Sequence, residues 1–129
     1  MHIIVCVDDR GGMTFGGRRQ SRDRVLYTYL SDKYKNINIA AFSQAVFEGG
    51  TVCDTLTDGV CFVENIPPSS FKNVDTVTLC RWNRRYPADM YFDIDLNDYT
   101  LISQEDIVGS SHEKITIEEY IRKRDGSPC

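Results

Sequence analysis

The feature that most constrains the fold is an unbroken apolar run close to the start of the sequence, Ile3-Ile4-Val5-Cys6-Val7, which ends at Asp8-Asp9. Continuous rather than alternating hydrophobicity is typical of a strand that is buried on both faces. Such a strand lies in the centre of a parallel or mixed sheet. The sequence therefore predicts a sheet whose two faces are covered by other parts of the chain.

An amphipathic helix and several shorter strands follow this first strand. Apolar residues recur at helical spacing from Arg22 to Lys33, and Ser21 is a suitable N-cap, which together predict the first helix. Ser43 can cap a short second helix. Further strands are predicted at residues 36–42, 60–63, 74–82, 99–103 and 114–121. We predict an α/β fold, a three-layer mixed sheet that is mainly parallel with an antiparallel C-terminal edge hairpin and is flanked by few short helices.

Length and composition are those of one globular domain. The chain has 129 residues, of which 41% are hydrophobic and 26% are charged. A chain of this size buries enough surface to fold without a metal ion or a disulfide. No linker divides it, so we predict a single domain over residues 1–124 and a patternless tail over residues 125–129. No apolar run reaches the length of a transmembrane helix, so no membrane partner is expected.

Five cysteines and two histidines limit the metal and redox chemistry of the chain. The cysteine count is odd, no CxxC pair occurs and no signal peptide precedes the first strand, so we expect free thiols and a cytoplasmic location. Cys129 is the thiol expected to form artefactual dimers. His2 and His112 are too isolated to build a zinc site, so no metal is predicted. The same scarcity excludes the two-zinc chemistry of ribonuclease Z, which needs a His-x-His-x-Asp-His cluster and further histidines.

The segment from Arg10 to Arg24 concentrates positive charge in a protein whose formal net charge is −4. It holds five arginines and one acid, Asp23, and it includes a glycine-rich loop at residues 10–17 that is either mobile or tightly turned. Arginines beside such a loop suit an anion, such as a nucleotide, a phosphorylated metabolite or a polyglutamate-like ligand. The alternative interpretation is a solvated loop and helix face. The sequence leaves both interpretations open.

A second cluster interleaves Arg81, Arg84 and Arg85 with Trp82 and Tyr86. Arginines among aromatic residues can stack on nucleic-acid bases. Arginines that extend over an aromatic rim at the end of a strand give the same pattern without binding anything. The net negative charge argues against a nucleic-acid partner.

Two blocks of the sequence resemble the dihydrofolate reductase family and together cover roughly half of the chain. In the first block, a buried strand ends in Val7-Asp8 and is followed by Gly12-Met13 and by Asp23 in the opening turn of the first helix. In the second block, the strand Val77–Arg81 precedes Pro87-Ala88-Asp89-Met90-Tyr91-Phe92, and the closing run Glu118–Arg124 is similar to the family's terminal hairpin. The resemblance implies the family's fold in a short, divergent form.

The resemblance also implies a ligand site between the glycine-rich loop and the first helix. It places Asp23 at the position of the catalytic acid that binds and helps to protonate a pterin ring, and an apolar cleft can raise the pKa of a carboxylate for that work. The other interpretation of Asp23 is an acid that interacts with the dipole of the helix. The threonine that partners the family's acid aligns with Cys80. The residues expected to bind the ligand are Val7, Met13, Arg18, Arg19, Arg22, Cys80 and Arg81.

The sequence departs from the family where NADPH should bind. Ala41-Phe42-Ser43-Gln44 stands in place of the family's Gly-Arg-x-Thr turn, and Val63-Glu64-Asn65-Ile66-Pro67 stands in place of its Gly-Gly pair. Glutamate at that position would repel a phosphate that a helix N-terminus could otherwise hold. We therefore expect no NADPH cofactor.

Three functional hypotheses remain open from the sequence. The first is a dihydrofolate reductase-like protein that is not an NADPH-dependent reductase and that binds a small anionic or heterocyclic ligand near the glycine-rich loop. The second is an active pterin-type or folate-type NADPH reductase with Asp23 as proton donor. The third is a protein that binds nucleic acid or an acidic partner through its arginine clusters. The sequence decides neither the oligomeric state nor whether the protein is an enzyme.

Overall fold

The structure, a computed structural model, describes residues 1–47 and 49–123. The predicted tail at 125–129, with Cys129, and the predicted domain end at residue 124 lie outside the described residues. The strands are β1 (His2–Val7), β2 (Gly12–Phe15), β3 (Arg18–Arg19), β4 (Ile37–Ile39), β5 (Thr51–Val52), β6 (Val60–Phe62), β7 (Thr76–Arg81), β8 (Met90–Tyr91), β9 (Tyr99–Ile107) and β10 (Ile115–Arg122). The α-helix α1 spans Arg24–Lys33, and short 3-10 helices span Ala41–Ala45, Pro68–Ser70 and Leu96–Asp98. No helix in this part of the chain has both the length and the apolar character to span a bilayer.

Seven strands form the central sheet, in the order β5-β4-β6-β1-β7-β10-β9. The pairings from β5 across to β7 are parallel, whereas β10 pairs antiparallel with both β7 and β9. The first apolar run of the sequence therefore lies in the middle of the sheet as β1. The predicted mixed sheet, mainly parallel with an antiparallel C-terminal edge hairpin, is confirmed. A second sheet of three strands has the order β3-β2-β8.

Apolar layers cover both faces of the central sheet. Successive strand residues point to opposite faces, so Ile4 of β1 packs on the same side as Leu26 and Leu30 of α1, while Ile3 and Val5 pack on the other side. All five of these side chains are 0% exposed. Complete burial on both faces is the reason that the run at the start of the sequence is unbroken. Each fully buried leucine of α1 stabilises the packed helix by about 1.5–3 kcal/mol.

A tight hairpin forms the glycine-rich segment. β2 and β3 pair antiparallel with Thr14 opposite Arg19 and Phe15 opposite Arg18, which leaves a loop of only Gly16 and Gly17. Both glycines have positive φ, 60° and 76°. A two-residue loop with positive φ at both positions matches the right-handed twist of the strands, and glycine adopts it without steric strain. The hairpin carries Arg19 back towards the central sheet.

The start of α1 differs from the prediction. The predicted helix began at Arg22 with Ser21 as its cap, but the N-cap is Asp23, whose carboxylate accepts hydrogen bonds from the backbone N–H groups of Val25 and Leu26. Both Ser and Asp are strong N-cap residues, so local preference does not separate them. Asp23 is selected by further donors from a distant part of the chain. Ser43, the predicted cap of a short helix, lies inside a 3-10 helix instead.

Candidate functional site

Four segments of the chain meet at one edge of the central sheet. β1 and β7 are parallel neighbours, so Asp8 and Trp82, which follow them, lie at the same edge. The start of α1 and the turn between β9 and β10 reach this edge as well, because Asp23 of the first bonds His112 of the second. The carboxyl edge of a largely parallel sheet is where α/β proteins usually bind ligands.

Asp23 is fully enclosed by the chain and is 0% exposed at its side chain. Besides the two helical N–H groups that it caps, its Oδ1 accepts from the backbone N–H of Ser110 at 2.9 Å. Its Oδ2 accepts from the backbone N–H of Ser111 at 2.8 Å and from Nδ1 of His112 at 3.0 Å. Each carboxylate oxygen therefore has at least two donors from the protein itself. A carboxylate in this state has no free acceptor direction to offer to a ligand.

The surroundings of Asp23 stabilise its charged form. Burial by itself would raise the pKa of the carboxyl group, but the hydrogen bonds from His112, Ser110 and Ser111 outweigh burial and hold the pKa well below its usual range. The raised pKa that the reductase hypothesis expects is therefore not produced by this environment. Asp23 remains a predicted catalytic acid only on the strength of the family resemblance.

Gly109 allows the turn between β9 and β10 to approach Asp23 so closely. A Cβ atom at Gly109 would overlap the Asp23 carboxylate, since it would lie 2.8 Å from Cγ and 3.0 Å from Oδ1. The backbone N–H of Gly109 also donates to the carbonyl of His112 at 3.0 Å and closes the turn. Glycine is required here by the contact with Asp23.

His112 extends the network beyond Asp23. Since the ionised Asp23 can only accept, Nδ1 of His112 is the donor, and its Nε2 lies 3.1 Å from both Ser21 Oγ and the Tyr86 hydroxyl. The Trp82 ring stacks on the imidazole with centroids 4.5 Å apart. The sequence predicts an exposed histidine in a polar loop, yet His112 is 3% exposed. No local pattern marks it, because its partner Asp23 is 89 residues away.

The chain of Ser21, His112 and Asp23 has the connectivity of a proton relay. The cavity that Ser21 borders is only about 10 Å³, which is close to the volume needed for one water molecule. The same network joins the start of α1 to the turn between β9 and β10.

Arg19 closes the space between the glycine-rich hairpin and the sheet. Its Nε and Nη2 form a two-point ion pair with Glu64, at 2.9 Å and 3.0 Å. The same guanidinium donates to the carbonyl of Phe42 at 2.9 Å and stacks over the Phe42 ring. Ser43 Oγ donates to Glu64 Oε1 at 2.7 Å. The two segments that depart from the family's NADPH motifs, residues 41–44 and 63–67, are thus joined to each other through Arg19.

We call the remaining space beside this ion pair the closed cleft. The residues that line its cavity of about 10 Å³ are Cys6, Met13, Arg19, Gln20, Ser21, Val63, Glu64 and Trp82. Organic ligands of drug size usually occupy pockets of roughly 300–1,000 Å³. The predicted ligand cleft between the glycine-rich loop and the first helix is therefore filled by the chain's own side chains.

The other residues predicted to bind the ligand do not share one site. Val7 is 1% exposed and packs in the core on the face opposite α1, and Cys80 is 0% exposed in the core beneath α1. Met13 borders the closed cleft and is 5% exposed. Arg18 is exposed on the hairpin opposite Phe15.

The second arginine cluster does not form a surface for stacking on bases. Arg81 Nε pairs with Glu118 Oε1 at 2.7 Å. Trp82 is 2% exposed and covers His112 rather than facing solvent. Arg84 and Arg85 are exposed. Arg81 is paired and Trp82 is buried, so neither joins them at the surface.

A larger opening, which we call the helix groove, runs along the other side of α1. Its volume is about 720 Å³. The lining residues are Arg22, Arg24, Tyr27, Thr28, Ser31, Ala45, Val46, Phe47, Gly49, Ser110 and Ser111. Of the residues predicted to bind a ligand, only Arg22 lies here. Arg24, Thr28, Ser31 and Ser111 were missed, and the signal that could have indicated Arg24 is the excess of arginine around Asp23.

Comparison with solved structures finds the same fold in a dihydrofolate reductase from Enterococcus faecalis, complexed with NADP(H) and RAB-propyl. The TM-score is 0.69, the sequence identity is 12%, and the match covers 95% of this chain and 96% of that chain. No family model and no curated protein matches the sequence. An identity this low is evidence for a shared fold and for nothing finer. The protein therefore has a dihydrofolate reductase-like fold, in a form that is divergent in sequence.

Proposed function

We propose that this protein is a dihydrofolate reductase-like binding protein that does not act as an NADPH-dependent reductase, and that it takes a small anionic ligand in the helix groove. The observation that carries the first half is the ion pair of Arg19 with Glu64, which fills the closed cleft. The observation that supports the second half is a groove of ligand size with two arginines among its lining residues.

The residues at the closed cleft do not fit NADPH. A bound cofactor would have to displace Arg19 from Glu64, whose side chain is only 8% exposed. Breaking a largely buried ion pair leaves a charge without compensation and is strongly unfavourable. The phosphates of the cofactor would also meet the Glu64 carboxylate, which repels them.

The reductase hypothesis, with Asp23 as proton donor, has less support from these contacts. A general acid needs a proton to give near neutral pH, so its pKa must be raised towards the working pH. The hydrogen bonds that Asp23 accepts lower its pKa instead. They also occupy both of its oxygens, so a pterin ring would have to displace the turn that holds Ser110 and His112.

The nucleic-acid hypothesis has no specific observation in its favour. Arg81 and Trp82 are engaged inside the protein, and the formal net charge of the chain is −4. The four described cysteines, Cys6, Cys53, Cys61 and Cys80, are free, which supports a reducing compartment. We propose the cytoplasm as location and one domain over residues 1–124.

Titration with NADPH tests the first half of the proposal. Trp82 is the single tryptophan and lies in the wall of the closed cleft, so a nicotinamide bound there would quench its emission by energy transfer. We expect no saturable quenching and no rise in melting temperature at NADPH concentrations up to about 100 μM, a range that detects Kd values typical of specific cofactor sites. Saturable quenching with a micromolar Kd would contradict the proposal.

A further inference from the structure

Three consecutive charged side chains at the start of α1, those of Arg22, Asp23 and Arg24, do not all point to the same side of the chain. Asp23 has an extended backbone, with φ −151° and ψ 116°, and successive side chains of an extended segment point in opposite directions. Asp23 points inward to His112, while Arg22 and Arg24 both line the helix groove. The inward carboxylate is already fully bonded to the turn between β9 and β10. Both guanidiniums therefore line the helix groove, and the acid between them in sequence does not neutralise them.

Both guanidiniums are available to a ligand. Arg22 and Arg24 are exposed, and among residues 1–47 and 49–123 neither has a carboxylate within 4.0 Å. None of the lining residues in this part of the chain is acidic. The other arginines near the site contrast with them, because Arg19 and Arg81 each pair with a glutamate.

The rest of the helix groove is suited to a small organic body. Thr28, Ser31 and Ser111 supply hydroxyl groups, and Tyr27 and Phe47 supply largely buried aromatic walls. A volume of about 720 Å³ lies within the range of known small-molecule sites. The groove thus combines two arginines with polar and apolar lining residues.

We propose that the ligand of the helix groove is a phosphate ester with a small planar organic group, its phosphate held between Arg22 and Arg24; this rests on the proposed function. Two guanidiniums offer two planar forks of N–H donors, which match the three oxygens and the double charge of a phosphate monoester. A carboxylate carries one charge, and the paired N–H donors of a single guanidinium satisfy it. The second arginine would then have no anionic partner. The planar group lies along Tyr27 and the hydroxyl-bearing face of α1.

Two probes that share a phenyl ring but carry different anionic groups test the class of ligand. Phenyl phosphate and benzoate are titrated by calorimetry into the full-length protein. We expect phenyl phosphate to bind with a Kd of about 1 mM or below, as a fragment of this size can. Benzoate should bind at least about tenfold more weakly, because the charge-assisted hydrogen bonds from one of the two guanidiniums are lost.

Matched arginine variants locate the binding. Arg22→Gln and Arg24→Gln should each weaken phenyl phosphate binding by about tenfold, and the double variant should abolish it. Arg85→Gln, an exposed arginine outside the groove, should leave the affinity unchanged. All the substituted side chains are exposed, so each variant should fold. A melting curve close to that of the wild type checks this.

The outcomes separate this inference from the proposed function. Benzoate binding as tightly as phenyl phosphate, in a manner that needs Arg22 and Arg24, would overturn the phosphate class and leave the anion-binding function standing. Equal binding of phenyl phosphate to wild type and the double variant would overturn the site. Failure of both anions to bind at up to about 10 mM, a weak limit for any fragment, would overturn this inference together with the anion-binding half of the proposed function.

Discussion

The closed cleft and the helix groove lie on two sides of the same helix start, and they differ in how their charged groups are satisfied. In the closed cleft, Arg19 is paired with Glu64. Asp23, which is connected through His112 to Ser21 in the wall of that cleft, accepts hydrogen bonds on both oxygens. In the helix groove, Arg22 and Arg24 face an open space of about 720 Å³. A region whose charged groups are paired within the chain contributes stability, whereas a region with unneutralised charge beside a cavity retains binding capacity.

This difference bears on what a shared fold means for function. The matched reductase from Enterococcus faecalis is described as a complex with NADP(H), and this protein shares its fold at 12% identity. A fold shared at this identity does not carry a binding site with it. In this protein the cavity beside the Arg19–Glu64 pair is only about 10 Å³.

The largest expected effect is the loss of the Asp23 carboxylate. Asp23→Ala leaves the N–H groups of Ser110 and Ser111 and the His112 imidazole buried without an acceptor, so we expect a loss of about 3–5 kcal/mol in the free energy of unfolding. Urea denaturation measures it. Asp95→Ala removes another carboxylate cap, one that is exposed and accepts only from Asn97 N–H at 2.9 Å, and should cost about 1 kcal/mol or less. Similar losses in the two variants would show that the donors from Ser110, Ser111 and His112 give the Asp23 carboxylate no special role in stability.

The second largest loss of stability is expected when the ion pair of the closed cleft is broken. Arg19→Met leaves the Glu64 carboxylate largely buried and unpaired, and because Arg19 itself is 22% exposed we expect a loss of about 2–3 kcal/mol rather than the full value of a buried pair. The double variant Arg19→Met, Glu64→Leu should recover most of this loss, because no unpaired charge remains. Additive losses in the double variant would contradict the pairing of these two residues.

The pH dependence of stability follows from the lowered pKa of Asp23. In the unfolded chain an aspartate titrates near 3.9, and in the folded protein the pKa lies lower. The contribution is therefore fully present above pH of about 5 and is lost as the pH falls through 4 towards the folded pKa. Urea midpoints between pH 7 and pH 3 measure the decline. Asp23→Asn should show a flatter profile over this range, and an unchanged slope would contradict the environment assigned to Asp23.

The smallest effect is expected in the helix groove. Arg22→Gln and Arg24→Gln remove exposed charges that make no ion pair in the described part of the chain, so the free energy of unfolding should change by no more than about 0.5 kcal/mol. The same urea experiment checks this. A loss comparable to that of Arg19→Met would mean that the groove arginines are structural, and the contrast between the two regions would fail.

Local patterns were sufficient to predict most of the fold. The unbroken run at Ile3–Val7 predicts the central strand β1, and the periodicity between Arg22 and Lys33 predicts the helix α1. The two apolar runs near the end of the sequence predict the antiparallel hairpin of β9 and β10. Each of these rests on hydrophobic spacing within a few residues. The error at the helix start came from two good N-cap residues two positions apart, Ser21 and Asp23. Only donors from distant parts of the chain select between them.

The site could be predicted only in part, because its contacts are remote in sequence. The departures from the family pattern at residues 41–44 and 63–67 can be read from the sequence, and Glu64 lies in the second of them. The partner of Glu64 is Arg19, 45 residues earlier, and the donors to Asp23 lie 87 to 89 residues later. No spacing rule connects such residues. The position of the turn at Gly109, which brings them together, follows only from the packed sheet.

One measurement tests the central claim that the cleft is closed while the groove is open. Backbone amide NMR shifts are recorded during titration with NADPH, which carries both a nicotinamide and phosphates, and with phenyl phosphate. The account predicts that phenyl phosphate moves the amides of Arg22, Arg24 and Ser111, and that any weak effect of NADPH falls on the same residues. Saturable NADPH shifts at Phe42, Ser43 and Glu64 with a micromolar Kd would contradict it, because they would show that the Arg19–Glu64 pair gives way to the cofactor.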